Sequence, residues 1–210
     1  MILRIAAALA VVLGILGLLA ILALLGSGPF AGEAARHMRA LKDRSDPPPV
    51  ALPVSLASFD SLPYRRPLAE YAPVEQRGVV VEGYIKHMLR APDGDTHLEV
   101  TSAPQPPGSG STYVTMEITP QFYLGAPAWG FERLRQTFRP SSGGGVTPWG
   151  VPPPRVRLTG WLLYDYAFET RLPGGGTIPF ARRVSGWEVH PVTRIEVWDE
   201  ARSAFVEVPR

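Results

Sequence analysis

The run from Ile5 to Leu25, made only of Ala, Val, Leu, Ile and Gly, constrains this 210-residue chain more than any other feature. A helix needs about 20 apolar residues to cross the hydrocarbon core. No backbone polar group can stay unpaired in lipid, so the run reads as a transmembrane helix in which Gly14 and Gly17 are tolerated. A cleaved signal peptide is the competing reading, but its apolar region is typically about 7–15 residues long. Cysteine is absent, which excludes a lipoprotein anchor. Residues 1–26 are therefore expected to form a single N-terminal membrane anchor, with residues 5–25 in the inner or plasma membrane.

Orientation pits two rules against each other. Only Arg4 and the α-amino group precede the run, whereas Arg36, Arg39, Lys42 and Arg44 come after it, so counting positive charge places the rest of the chain in the cytoplasm. A hydrophobic N-terminus with a charged tip more often acts as a signal-anchor that exports the domain behind it. The extracytoplasmic side is the expectation. With 21 basic and 19 acidic residues the net charge is only +2, a weak basis for any polyanionic partner.

Residues 27–77 read as a juxtamembrane helix, within GEAARHMRALKDRSD, and then a proline-rich tether, DPPPVALPVSLASFDSLP, that should be extended because proline lacks an N–H and disfavours helix before it. From Gly78 the chain turns to short β-branched and aromatic runs divided by Gly and Pro, a pattern of β barrels and sandwiches. Strands are expected at Val79–Leu89, Thr96–Thr101, Thr112–Thr119, Arg155–Asp165 and Val184–Trp198, with a bulge at Gly83 and a break near Pro191. Between the third and fourth lies Ala128–Phe138, where Phe131, Leu134 and Phe138 recur at helical spacing. Three strands, a helix and two strands is the order of an OB-fold. The fold class expected is thus mainly β: a five-stranded OB-like barrel with one short helix over residues 78–200, a tail at 201–210, and the single transmembrane helix in front.

Alternation along the strands sorts polar from apolar residues. With Leu98, Val100, Val114, Met116, Ile118, Leu158, Leu162, Trp187 and Val189 turned inward, His97, Glu117, Asp165, Glu188 and His190 share the other face. Imidazole with carboxylate suits a divalent transition metal such as Zn, Mn or Fe, or supplies a general acid and base. Polar residues on a half-exposed sheet are also the default, and no dense spacing such as HExxH supports the metal reading.

Other signals are weaker. Asp93-Gly94-Asp95-Thr96 resembles the DGDT of staphylococcal-nuclease-like OB-folds, whose acidic residue helps hold calcium, but only over four residues, and Asp-Gly between strands is a strong turn. Tyr113 and Trp161 have the chemistry to stack on bases. Glu99, Glu117 and Asp165 beside them repel phosphate, so nucleic acid is not the partner expected. No GxxxxGK[ST], GxGxxG or GxSxG occurs, and the glycine runs at 143–145 and 174–176 read as loops.

The fragments DTHLEV, VTMEITP, RVRLTGWLLYD and GWEVHPVTRIEV together resemble a group of bacterial, mostly exported small β-barrel proteins. The shared pattern falls here on Asp95 and His97, Glu117 and Pro120, Gly160 and Asp165, and Glu188, His190, Pro191 and Val192, spanning Asp95 to Val197. The resemblance implies an exported barrel and no particular activity. The leading functional expectation is a membrane-anchored, extracytoplasmic OB-like module that binds a protein or small polar ligand. The alternatives are a metal-dependent hydrolase using the His/carboxylate cluster and a single-stranded nucleic-acid binder.

Overall fold

In a computed structural model, residues 32–104, 112–138, 153–179 and 181–210 are described. Two compact units divide between Leu41 and Lys42. The first contributes most of α1 (Glu33–Lys42), where the helix-forming composition predicts a helix. The apolar run Ile5–Leu25 lies outside the described residues; among those described, no helix is long and apolar enough to cross a membrane.

The second unit is mainly β, with strands β1 (Ala51–Val54), β2 (Gly78–Arg90), β3 (Thr96–Thr101), β4 (Val114–Ile118), β5 (Arg155–Tyr164), β6 (Trp187–Asp199) and β7 (Ala204–Glu207). Five of these close a barrel in the order β2-β3-β4-β6-β5 and back to β2. The pairing is antiparallel except between β4 and β6, where Met116 and Val189 are parallel partners. Closure depends on the length of β2: its first half, Gly78–Tyr84, pairs with β5, and its second half, Tyr84–Arg90, pairs with β3. Closing the sheet on itself removes the exposed edges that an open sheet would present.

Alternating apolar residues fill the interior. Ile85, Leu98, Met116, Leu158, Val189 and Ile195 are all fully buried there, and each such side chain contributes on the order of 1.5–3 kcal/mol by leaving water. Short helices interrupt the strands along the chain: α2 (Ala72–Glu75) precedes β2, while α3 (Pro120–Tyr123) and α4 (Phe131–Phe138) come after β4. The apolar helix face expected from sequence is that of α4, where Leu134 and Phe138 are buried and Phe131 packs beside them. Pro127–Trp129, expected in part to belong to that helix, is a separate 3-10 turn. The one short helix expected in the barrel domain is therefore one of several.

Two segments depart from their expected roles. The proline-rich stretch is not a free tether: Ala51–Val54 pairs in parallel with the start of β2, and the 3-10 helix Leu56–Ser61 buries Leu56 and Phe59 in the core. Proline conceals the strand because it is tolerated at a sheet edge, where an N–H can be spared. The tail likewise folds back, with β7 paired to β6 through Ala204–Glu207, and Val208 joins the core.

The bulge expected at Gly83 lies two residues later, in a register shift between Ile85 and His87. Gly83 serves close approach instead, since an added Cβ would lie 2.5 Å from Val100 Cγ1. The irregularity expected near Pro191 is present, as register shifts on both sides of Gly160, opposite the cis His190–Pro191 bond. There an added Cβ would collide with the Pro191 carbonyl oxygen and lie 2.7 Å from Val189 Cγ1. Gly160→Ala is accordingly expected to cost about 1–3 kcal/mol, the usual range for overpacking. Chemical denaturation measures it, and an unchanged midpoint would contradict the contact.

Candidate functional site

The candidate polar residues of β3, β4 and β6 converge, and all but the partly exposed His97 are buried inside the protein. Sequence alternation places them on an outer face; in the fold the connection from Asp165 to Gly186 and the residue Lys42 cover that face. Glu188 and His190 have no exposed surface, and Glu117 retains 2%. Alternation predicts which residues share a face; it does not predict what lies over that face.

Glu117 is the centre. Its neighbour across the β3–β4 pair is His97, whose Nε2 lies 3.2 Å from Oε1. Its Oε2 lies 3.0 Å from His190 Nδ1 and 3.9 Å from Lys42 Nζ. His190 Nδ1 also lies 3.0 Å from Glu188 Oε1, here with hydrogen-bonding geometry. The other Glu188 oxygen accepts from Arg183 Nη2, and Arg183 Nε donates to the Ser185 carbonyl at 3.0 Å. On the far side of the imidazole, Nε2 faces Asp95 Oδ2 at 3.5 Å.

The structure thus brings together four of the five residues expected from sequence, His97, Glu117, Glu188 and His190. Asp165 lies at the edge of the cluster, within the electrostatic reach of Glu188, Lys42 and Arg183, while its carboxylate accepts from the Ala167 N–H at 3.0 Å and caps the 3-10 helix Tyr166–Phe168. Sequence reasoning left out Asp95, Lys42 and Arg183. Asp95 carried a signal, because it belongs to the resemblance pattern. Its turn role concealed its side chain, which is 7% exposed and directed at His190. The turn itself is real, with Gly94 at φ 98. Lys42 and Arg183 gave no local signal.

The charges compensate one another. Burial works against a charged His190, but Glu117 and Glu188 outweigh it and raise its pKa to about 10. Burial also works against ionised Glu117, yet His190 and His97 hold its carboxyl well below the usual range. Lys42 loses hydration on burial, and the carboxylates, Glu117 first, more than restore its preference for the charged form. For His97, burial is again the largest influence and Glu117 reverses it, so its pKa is raised. Asp95 and Asp165 go the other way. Burial pushes each up to about 6, against the pull of His190 on Asp95, while Glu188 adds to the rise at Asp165.

The arrangement has two chemical capacities. As a set of ion pairs, the cluster clamps a buried imidazolium between carboxylates and ties β3, β4 and β6 to the connection above them. As a donor set, Asp95, Glu117 and His190 offer ligand atoms all within 4.8 Å of one another. Donors about 2.1 Å from a tetrahedral metal lie about 3.4 Å apart, close to the 3.5 Å between His190 Nε2 and Asp95. Glu117 Oε2 and His190 Nε2 are buried without a hydrogen-bond partner among the described residues, which native proteins rarely leave unexplained. Glu188 at Nδ1 is placed as an outer partner that would orient the ring.

The aromatics considered for base stacking have other duties. Trp161 Nε1 donates to the Asp46 carbonyl at 2.8 Å beneath the Arg44 guanidinium, and Lys86 lies over Tyr113.

No protein-family model and no curated protein sequence matches the chain. Among solved structures it is similar to asparaginyl-tRNA synthetase of Entamoeba histolytica, with a TM-score of 0.34 and 13% identity over 71% of this chain and 24% of that one. The complex of the same synthetase with asparaginyl-adenylate gives a TM-score of 0.33, also at 13% identity, over 71% of this chain and 23% of that one. The chain spans about a quarter of the synthetase's length, and a likeness this distant carries no argument about function.

Proposed function

We propose that this protein is a membrane-anchored OB-like binding module whose soluble domain faces the extracytoplasmic side, with the His/carboxylate cluster bracing the barrel rather than meeting a substrate. The observation that carries the reading is the burial of Glu117, Glu188 and His190 among compensating cations. A catalytic group must reach its substrate within hydrogen-bonding distance, and among the described residues these groups meet only other members of the cluster. The strand order, with the pairing of the third and fifth barrel strands parallel, agrees with an OB-like barrel.

Anchoring is tested by fractionation. The full-length chain is expected to stay in the membrane pellet through an alkaline carbonate wash, and a chain lacking residues 1–26 to leave it. Protease added to spheroplasts is expected to degrade the barrel. Release of the full-length chain by carbonate contradicts the anchor, and protection from protease contradicts the orientation.

A second reading is a metal-dependent hydrolase, favoured by Glu117 Oε2 and His190 Nε2, buried beside Asp95 without a hydrogen-bond partner among the described residues. A divalent transition metal held by Asp95, Glu117 and His190 would supply a Lewis acid and lower the pKa of a bound water. His97, with 22% of its side chain exposed where His190 has none, would then be the imidazole that reaches solvent.

A further inference from the structure

Away from the cluster, the segment Ser61–Arg66 and Pro173 line an open cleft of about 440 Å³, within the size range of small-molecule sites. Among the described residues, no carboxylate lines it. Its charge comes from Arg65 and Arg66, both exposed. Arg65 Nε donates to the Arg171 carbonyl at 3.1 Å, which fixes the side chain and leaves its terminal nitrogens without a hydrogen-bond partner among the described residues. The Arg66 guanidinium has no partner among the described residues.

The loop that presents them is held from below. Trp187 Nε1 donates to the Pro63 carbonyl at 2.6 Å, and Arg171 Nη1 donates to the carbonyls of Asp60 and Leu62, each at 2.7 Å. The hydroxyls of Tyr164 and Tyr71 accept from the backbone N–H groups of Arg65, at 3.5 Å, and Arg66, at 2.6 Å. Arg171 itself is neutralised by Glu169, which accepts from its Nε and Nη2 at 2.9 and 2.7 Å. So one arginine builds the loop, and two are left facing the cleft. Arg65 sits at φ 51, a left-handed conformation that a non-glycine residue adopts only when its surroundings enforce it.

We infer that this cleft is a binding site for a small phosphoryl-bearing ligand, recognised by the guanidinium groups of Arg65 and Arg66. Arginine suits phosphate because its planar fork donates two parallel hydrogen bonds to two oxygens. Fixing the fork before binding reduces the ordering cost that weakens association. The inference rests on the binding-module reading and names its ligand class. It is independent of the anchor, so fractionation and ligand binding fail separately.

The test is calorimetric titration of the full-length chain, in a neutral detergent at low ionic strength, with inorganic pyrophosphate. Saturable one-site binding is expected, weakened at least tenfold by Arg66→Gln with no change in melting temperature. Arg65→Gly, which keeps the left-handed backbone without steric cost, is expected to weaken it similarly. Glycerol phosphate and short-chain phosphatidic acid in the same micelles identify the source. Arg66-dependent binding of both supports a soluble ligand, and binding of the lipid alone assigns the phosphoryl group to a headgroup. Absence of saturable binding to all three probes, or affinity unchanged in Arg66→Gln, overturns the inference. So does Arg66-dependent binding of a single-stranded oligonucleotide much tighter than pyrophosphate, which would make the cleft part of a nucleic-acid surface.

Discussion

Glu188→Ala is expected to destabilise the barrel by about 3–5 kcal/mol, the cost of removing one partner from a buried ion pair. The carboxylate has two dependants, Arg183 at one oxygen and His190 at the other, and neither is exposed enough to recover its hydration from water. Taking away the acid leaves a guanidinium and an imidazolium in the interior with half of their compensation gone. A surface comparison sets the scale. Glu82 bonds Arg155 and Arg157 at 3.0 and 2.8 Å, yet its side chain is 41% exposed, and exposed pairs contribute at most about 1 kcal/mol. Urea denaturation of Glu188→Ala and Glu82→Ala side by side checks the difference. Equal losses would mean that the buried cluster is no more than a set of surface-strength pairs.

Alkaline pH is expected to remove the same stabilisation without mutation. His190 has its pKa raised to about 10, above the ordinary value of about 6.5. The folded state therefore holds the proton more tightly than the unfolded chain. Its contribution is fully present below pH about 6.5 and is lost as pH rises through about 10. Each pKa unit corresponds to about 1.4 kcal/mol, so the loss between pH 7 and 10 is on the order of 3–5 kcal/mol. Asp95 and Asp165 act at lower pH and in the opposite sense to most acids. Their pKa values, raised to about 6, mean that ionising them costs stability as pH rises from about 4 to about 6. Glu117, held well below its usual range, contributes stability that is fully present above pH about 4.3 and is lost as pH falls below it. Melting temperature measured from pH 4 to 10 should show a distinct alkaline decline, much reduced in His190→Gln. A flat profile from pH 7 to 10 in the wild type would contradict a buried imidazolium.

The strands were legible because apolar and polar residues alternate along them, even in β4, where both faces are buried. Thr96–Thr101 has the bounds that its Leu98 and Val100 alternation predicts, and the others differ only at their ends. The two additional strands gave a poorer signal. Ala51–Val54 contains Pro53, leaves Leu52 exposed, and owes its conformation to pairing with β2. Ala204–Glu207 is directed by Asp199, whose carboxylate accepts from the N–H groups of Ala201 and Arg202 and turns the chain back. In the site, strand neighbours were legible and distant partners were not. His97 and Glu117 could be paired from alternation and strand order. Arg183 meets Glu188 only because the connection between β5 and β6 returns over the sheet, bridged to Tyr113 on the way. Burial then reverses the meaning of the residues, since carboxylates read as solvated become groups that require cations.

The most direct test of the central claim, that the cluster is a self-compensating brace, is elemental analysis of the purified full-length protein after incubation with Zn or Mn and removal of excess metal. Lys42, Arg183 and the His190 imidazolium already supply the positive charge, so the account predicts no stoichiometric metal and an unchanged melting temperature. About one equivalent of bound metal that raises the melting temperature, and is lost in Asp95→Asn while the fold persists, would contradict the brace and establish the metal centre instead.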